Sequence, residues 1–155
     1  IPDTVTIDDV SYDVTAIGKN AFKNAKITKV TMGDNIETIG DNAFYGCKKI
    51  KTVKIGKNVK TIGNKAFYKC TVLTKVSLPS KVKTIGTSAF YGCEKLTSVT
   101  IGKSVTKIGS KSFYGCSKLA IDVYMPNLRS ISTTAFQNAG ITKISSLGNL
   151  TSSNT

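Results

Sequence analysis

Residues 51–70 read KTVKIGKNVKTIGNKAFYKC, and this string returns in altered form along most of the chain. Its centre, Ile62-Gly63-Asn64-Lys65-Ala66-Phe67, recurs at Ile17–Phe22, Ile39–Phe44, Ile85–Phe90, Ile108–Phe113 and Ile131–Phe136. The Ile positions are spaced 22, 23, 23, 23 and 23 residues apart. Ser112 takes the Ala position in one copy and Ser132 the Gly position in another. Six copies in phase make this an internal repeat, and a repeat of this length is one structural unit.

Other columns keep the same phase. Three residues after each Phe stand Ala25, Cys47, Cys70, Cys93, Cys116 and Ala139. An aliphatic column follows at Ile27, Ile50, Leu73, Leu96, Leu119 and Ile141. Val30, Val53, Val76 and Val99 come next, each two residues before Met32, Ile55, Leu78 or Ile101. The period of two places both side chains of each pair on the inner face of one short strand. Gly33, Gly56, Pro79 and Gly102 then end the strand. Ile36, Val59, Val82, Val105 and Leu128 open the return segment that leads to the Ile-Gly step. The Gly-x-x-Ala-Phe arc has an i, i+3 spacing, which predicts a turn of 3₁₀ or short helix. One such unit cannot bury its apolar face alone, so the coils must stack.

The multi-column template resembles the BspA-type leucine-rich repeat of bacterial surface proteins over roughly residues 14–146. The resemblance implies a right-handed solenoid of about six coils of 22–23 residues with short parallel strands. It also implies adhesion or protein binding and an extracellular or cell-surface location. An Asn ladder is not kept: the nearest column reads Asn35, Asn58, Lys81, Ser104 and Asn127.

Composition narrows the chemistry. The 155 residues carry 22 basic and nine acidic side chains, a formal +13, with Arg129 the sole arginine. The chain has neither His nor Trp. Without His, the Ser-His-Asp and Cys-His arrangements and all His-containing zinc sites are excluded. The acids form no opposed pair and the Ile-Gly turns form no phosphate loop, so no catalytic residue, enzyme activity or cofactor is expected. Four cysteines on one line, about 5 Å apart, cannot converge on a metal and have parallel Cβ vectors, so they read as buried free thiols. No metal ligands are assigned.

We expect one domain over residues 1–155. Residues 1–16 read as an N-terminal cap, with a hairpin of Thr4–Ile7 and Ser11–Val14 about Asp8-Asp9-Val10. Residues 17–146 carry the repeats, and 147–155 form a tail or truncated end. Ile1-Pro2 opens the chain without Met or a leader, which reads as a processed chain or an excised fragment. Asn149-Leu150-Thr151 matches a glycosylation sequon and is taken as chance. One coil departs from the template: a slide over Ile121–Pro126 turns Val123 and Met125 inward and avoids burying Asp122, which would cost several kcal/mol.

Two surfaces are candidate ligand sites. The first is the outer strand face, with Lys29, Lys54 and Lys75 among the small groups Thr52, Ser77 and Thr100. The second is the column Tyr45, Tyr68, Tyr91 and Tyr114, either an aromatic strip for glycan or peptide or a self-stacked surface cover. Residues 42–121 hold 16 Lys against one acid, Glu94. That field favours anionic partners and is sensitive to salt. It also fits an ordinary solvated surface. The expected partner is a protein or glycan, anionic in one reading. No nucleic-acid motif and no membrane span is present, and no oligomeric state follows. The function expected is a non-catalytic interaction or adhesion module. The alternatives are a spacer presenting a neighbouring domain and a basic module binding a wall polymer or glycan.

Overall fold

The computed structural model describes residues 1–120, 122–141 and 143–147, with the side chains of 122–124 and 143–147 outside that description. The inward turn expected of Val123, the residue Ile121, the tail beyond Leu147 and the Asn149 sequon therefore lie outside the described residues. The chain is a β-solenoid. Two strands define each regular coil, and each stacks in parallel on its equivalent in the next.

The Val-x-Ile segments give β4 (Lys29–Thr31), β6 (Thr52–Lys54), β8 (Lys75–Ser77) and β10 (Ser98–Thr100), a four-stranded parallel sheet in the order β10-β8-β6-β4. The Ile-Gly segments give β3 (Ala16–Ile17), β5 (Thr38–Ile39), β7 (Thr61–Ile62), β9 (Thr84–Ile85), β11 (Lys107–Ile108) and β13 (Ser130–Ile131). These form a six-stranded parallel sheet, again in coil order. Register follows the repeat: Val53 lies beside Val30 and Val76, and Ile62 beside Ile39 and Ile85.

The core is a set of ladders. Phe44, Phe67, Phe90 and Phe113 are fully buried, and neighbouring rings stack at 5.1–5.2 Å. At the ends, Phe22 stacks on Phe44 at 5.2 Å and Phe136 on Phe113 at 5.0 Å. Ser112 is buried in the Ala column with its polar group satisfied: its one hydroxyl proton has the carbonyls of Gly109 at 2.6 Å and Gly86 at 3.0 Å as acceptors.

The Ile-Gly column reflects a close approach of backbones. A Cβ on Gly63 would stand 2.7 Å from the backbone nitrogen of Asp41, and one on Gly86 2.6 Å from the carbonyl carbon of Gly63. The last coil carries Ser132 at this position and sits further away. Its amide reaches the carbonyl of Ile108 at 3.2 Å, against 2.8 Å for Gly63 to Ile39.

The arcs are not helical, which corrects the expectation of 3₁₀ or short helical segments. Amides of Asn42, Phe44 and Gly46 bond to the next coil, at Asn64, Ala66 and Tyr68. Those of Ala43, Tyr45 and Cys47 close turns three residues back. Asn42 (φ 55°) and Gly46 (φ 66°) are left-handed, and the pattern repeats at Lys65 and Lys69 and at Ser88 and Gly92. Left-handed residues every fourth position direct alternate amides between coils, which no helix can do. The i, i+3 spacing is real but belongs to a string of turns.

The hairpin forms as β1 (Thr4–Ile7) and β2 (Val10–Asp13), paired antiparallel. Asp8 (φ 48°) and Asp9 (φ 61°) supply the two positive φ values of a type I′ turn. The residues on either side of the hairpin pack on the first repeat. The Ile1 ammonium donates to Thr31 O at 2.8 Å, Gly33 N to Ile1 O at 2.8 Å, and Val14 N closes the stem on Asp3 O. All eight strand residues are exposed, while Ile1, Val14, Phe22, Ala25 and Ile27 stay half-buried.

The irregular coil gives β12 (Asp122–Met125), which pairs with β14 (Lys143–Leu147) and not with β10. Met125 is buried at 1% exposure, as the slide required. The first sheet is therefore split between β10 and β12, while the second sheet runs on through β13.

Candidate functional site

The strand face is built by alternation. Each three-residue strand buries its central Val and turns its two flanking side chains outward. The register makes two outward rows: Lys29, Thr52, Lys75, Ser98 and Thr31, Lys54, Ser77, Thr100. Lys29, Lys54, Lys75, Thr52, Ser77 and Thr100 are all exposed. Thr52 separates Lys29 from Lys75 in the first row and Lys54 is the single lysine of the second, so no two lysines are direct cross-strand partners. Like charges directly opposite would destabilise the sheet. The result is an open polar surface with cations on a diagonal grid.

The tyrosines stand apart from it, on the arcs. Tyr45, Tyr68, Tyr91 and Tyr114 are half-buried and stack in one column with ring centroids 4.8–4.9 Å apart. Stacking covers most of each ring face with the next ring, leaving edges for a partner. Lys23, Lys69 and Lys111 lie 5.4–5.9 Å from ring centroids of Tyr45, Tyr68 and Tyr114. The structure thus gives two separate surfaces for the ten residues singled out in the sequence.

Charge is graded along the axis. Residues 1–41 hold seven acids and four lysines, whereas 42–121 hold 16 lysines and Glu94. Two of the early acids neutralise the first lysines they meet: Asp34 pairs with Lys57 at 2.9 Å and Glu37 with Lys60 at 2.7 Å. The Lys57 backbone amide, and then its ammonium, hold the Asp34 carboxyl below its ordinary value, and Asp34 in turn raises Lys57. Both pairs are exposed and contribute little to stability.

The cysteines form a closed internal line. Each thiol donates to the carbonyl of a Phe in the preceding coil: Cys47 to Phe22 at 2.9 Å, Cys70 to Phe44 at 3.3 Å, Cys93 to Phe67 at 3.2 Å and Cys116 to Phe90 at 3.1 Å. All four are buried, free thiols. Burial pushes Cys70 and Cys116 up to about 12. Such thiols pack; they do not react.

Two features were missed in the sequence. Val5, Ile7, Val10 and Tyr12 share one face of the hairpin and are 41–58% exposed. Their alternation was visible, but a hairpin with nothing against it was not. The second is a groove of about 640 Å³ lined by Lys83, Ser104, Thr106, Asn127 and Arg129 over Pro126 and Leu128. Its signal was the step of 24 residues from Ile101 to Met125 in a register of 23. Among the described residues, no helix is long and apolar enough to cross a membrane.

A family model for the BspA type leucine rich repeat region matches residues 15–142 in six copies. No curated protein sequence matches the chain significantly. Among solved structures, a leucine-rich-repeat protein of T. pallidum superposes with a TM-score of 0.85 at 26% identity, covering 92% of this chain and 67% of that one. A leucine-rich-repeat protein from Bacteroides ovatus gives 0.72 at 26%, covering 91% and 49%. A leucine-rich cell surface protein from Faecalibacterium prausnitzii gives 0.67 at 31%, covering 96% and 47%. The chain therefore spans from about two thirds to about half the length of these relatives. With the register, the ladders and the matched template in agreement, this chain belongs to the BspA-type leucine-rich-repeat family.

Proposed function

We propose that this chain is a non-catalytic interaction module of a bacterial cell-surface or secreted protein, and that it binds a protein or glycan partner through the outer face of β4, β6, β8 and β10. The observation that carries the reading is the pair of in-register outward rows of lysines and small hydroxyl groups on an exposed parallel sheet. A rigid surface with few bulky side chains admits a broad partner, and its lysines suit an acidic one. The Faecalibacterium relative is a cell surface protein, which supports the location. The one-domain organisation, with residues 1–16 as an N-terminal cap and the repeats over 17–146, belongs to the same proposal.

The excess of lysine over acid in residues 42–121 favours a second reading, binding to wall polymers or acidic glycans through charge alone. An array of proteins, glycans and polyanions, probed in low salt and at about 0.5 M salt, separates the two, since the higher salt shortens electrostatic screening to roughly 4 Å. Saturable, salt-resistant binding to a protein that Lys54→Glu with Lys75→Glu abolishes supports the strand face. Binding to every polyanion that vanishes in salt supports the second reading. Absence of any binding overturns both and leaves a spacer.

A further inference from the structure

Among the described residues, the exposed large hydrophobic side chains all lie on one hairpin: Val5, Ile7, Val10 and Tyr12, at 41–58% exposure. Val5 pairs with Tyr12 and Ile7 with Val10, so the four share one face, while Thr4, Thr6, Ser11 and Asp13 take the other. A two-stranded hairpin is marginal by itself in water, and an apolar patch on an otherwise polar surface marks a place of interaction. The stem ties this arm to the rod, because Asp3 and Asp13 both accept hydrogen bonds from Asn35. Asp8 and Asp9 stand exposed at the tip, an anionic end beside Ile7 and Val10.

The complement of this arm is apolar surface flanked by cations. The outer strand face has the cations, but only small hydroxyl groups between them. A second hairpin has the apolar surface, but its acidic tip brings no cation. The arc column Tyr45, Tyr68, Tyr91 and Tyr114 has both: ring edges along one line, with Lys23, Lys69 and Lys111 within 5.4–5.9 Å of ring centroids. The dimensions agree. Four strand residues reach about 13 Å, and the column, with rings 4.8–4.9 Å apart, is about 15 Å long. Charge favours the same match between copies. Residues 1–41 hold seven acids and four lysines, whereas 42–121 hold 16 lysines and Glu94, so the first part of one rod attracts the middle of another.

We propose that the hairpin of one copy docks on the tyrosine column of a second copy, with Val5, Ile7, Val10 and Tyr12 against the ring edges and Asp8 and Asp9 beside the flanking lysines. Each copy carries one hairpin and one column, so the contact joins two different surfaces. Each surface is on the order of a few hundred Å², smaller than a standard interface, so the association is weak and reversible. It leaves the outer face of β4, β6, β8 and β10 free.

The test is sedimentation velocity of the whole chain from about 10 μM to about 1 mM, the range of a weak complex. We expect the sedimentation coefficient to rise with concentration. Ile7→Ser with Val10→Ser, and separately Lys23→Glu with Lys69→Glu and Lys111→Glu, should each weaken association at least tenfold. Lys29→Glu with Lys54→Glu and Lys75→Glu makes the same change of charge on the strand face and should alter it less than threefold. The hairpin variant keeps its column and the column variant keeps its hairpin, so mixing the two should restore association as one-to-one pairs, which also shows that both are folded. A wild type that stays monomeric over the whole range, a hairpin variant that still associates, equal losses in the two lysine variants, or a mixture that does not pair would each overturn the proposal.

Discussion

The thiol of Cys70 donates to the carbonyl oxygen of Phe44 at 3.3 Å, tying each arc to the Phe of the coil before it. The sulfur is thus a packing group with one hydrogen bond, and its burial raises its pKa to about 12 from 9.0. A raised folded value stabilises the protein fully below pH 9 and loses that contribution as pH climbs towards 12. Wild type should therefore lose stability relative to Cys70→Ala in alkali, by up to about 1.4 kcal/mol per pH unit. Denaturant melts of both proteins at pH 8 and pH 10.5 check this; parallel losses would show the thiol is more hydrated than the structure has it.

Thiol titration reports the same ladder independently. The native protein should resist a thiol reagent at pH 8, with Cys47 the first to react because it sits nearest the open first coil. Unfolded without reductant, the chain should release close to four thiols. A count near zero would mean disulfides.

Phe67 lies between Phe44 and Phe90 at 5.1 and 5.2 Å, fully buried. Replacing it with Ala should cost about 3–5 kcal/mol through the cavity left behind. Tyr68→Ala removes a half-buried ring and should cost clearly less. Comparable losses in the two melts would reverse the assignment of inner and outer faces.

Gly63→Ala tests the close approach of the coils. Its Cβ would stand 2.7 Å from backbone atoms of the coil before, and backbone cannot swing away as a side chain does. A destabilisation of about 1–3 kcal/mol is expected, as for other overpacked sites. Gly18 meets nothing within 4 Å, so Gly18→Ala should be nearly neutral.

Lys65 is left-handed at φ 54°, a position held by Asn20 and Asn42 in earlier coils. Asn tolerates this conformation better than Lys. Lys65→Asn should stabilise the protein by up to about 1 kcal/mol, read as a higher midpoint in urea; a lower midpoint would show that the lysine contributes a contact that outweighs the backbone cost.

The stacking was legible in residues 51–70 because a solenoid repeats its physics once per coil. Val53, Ile55, Val59, Ile62, Phe67 and Cys70 each had to face inward, and each is buried. The six strand-face positions were legible by the alternation within each strand, whereas the four tyrosines were legible only as neighbours of the core Phe column and are half-buried on the arcs. Other features depended on what one coil does to the next. The arc at Asn42–Gly46 became a string of turns because its alternate amides found acceptors on the following coil, a partner that a local i, i+3 spacing cannot represent. Strand β12 left β10 for β14 because one residue gained before Met125 and one lost before Leu128 restore the core phase but not the backbone register. The groove at Lys83, Thr106 and Arg129 is the space left by that mismatch. The sequence by itself determined which side chains are buried, since burial repeats with the columns; the tertiary structure alone decided where the stack parts, since that depends on the fit between two coils and not on the pattern within either.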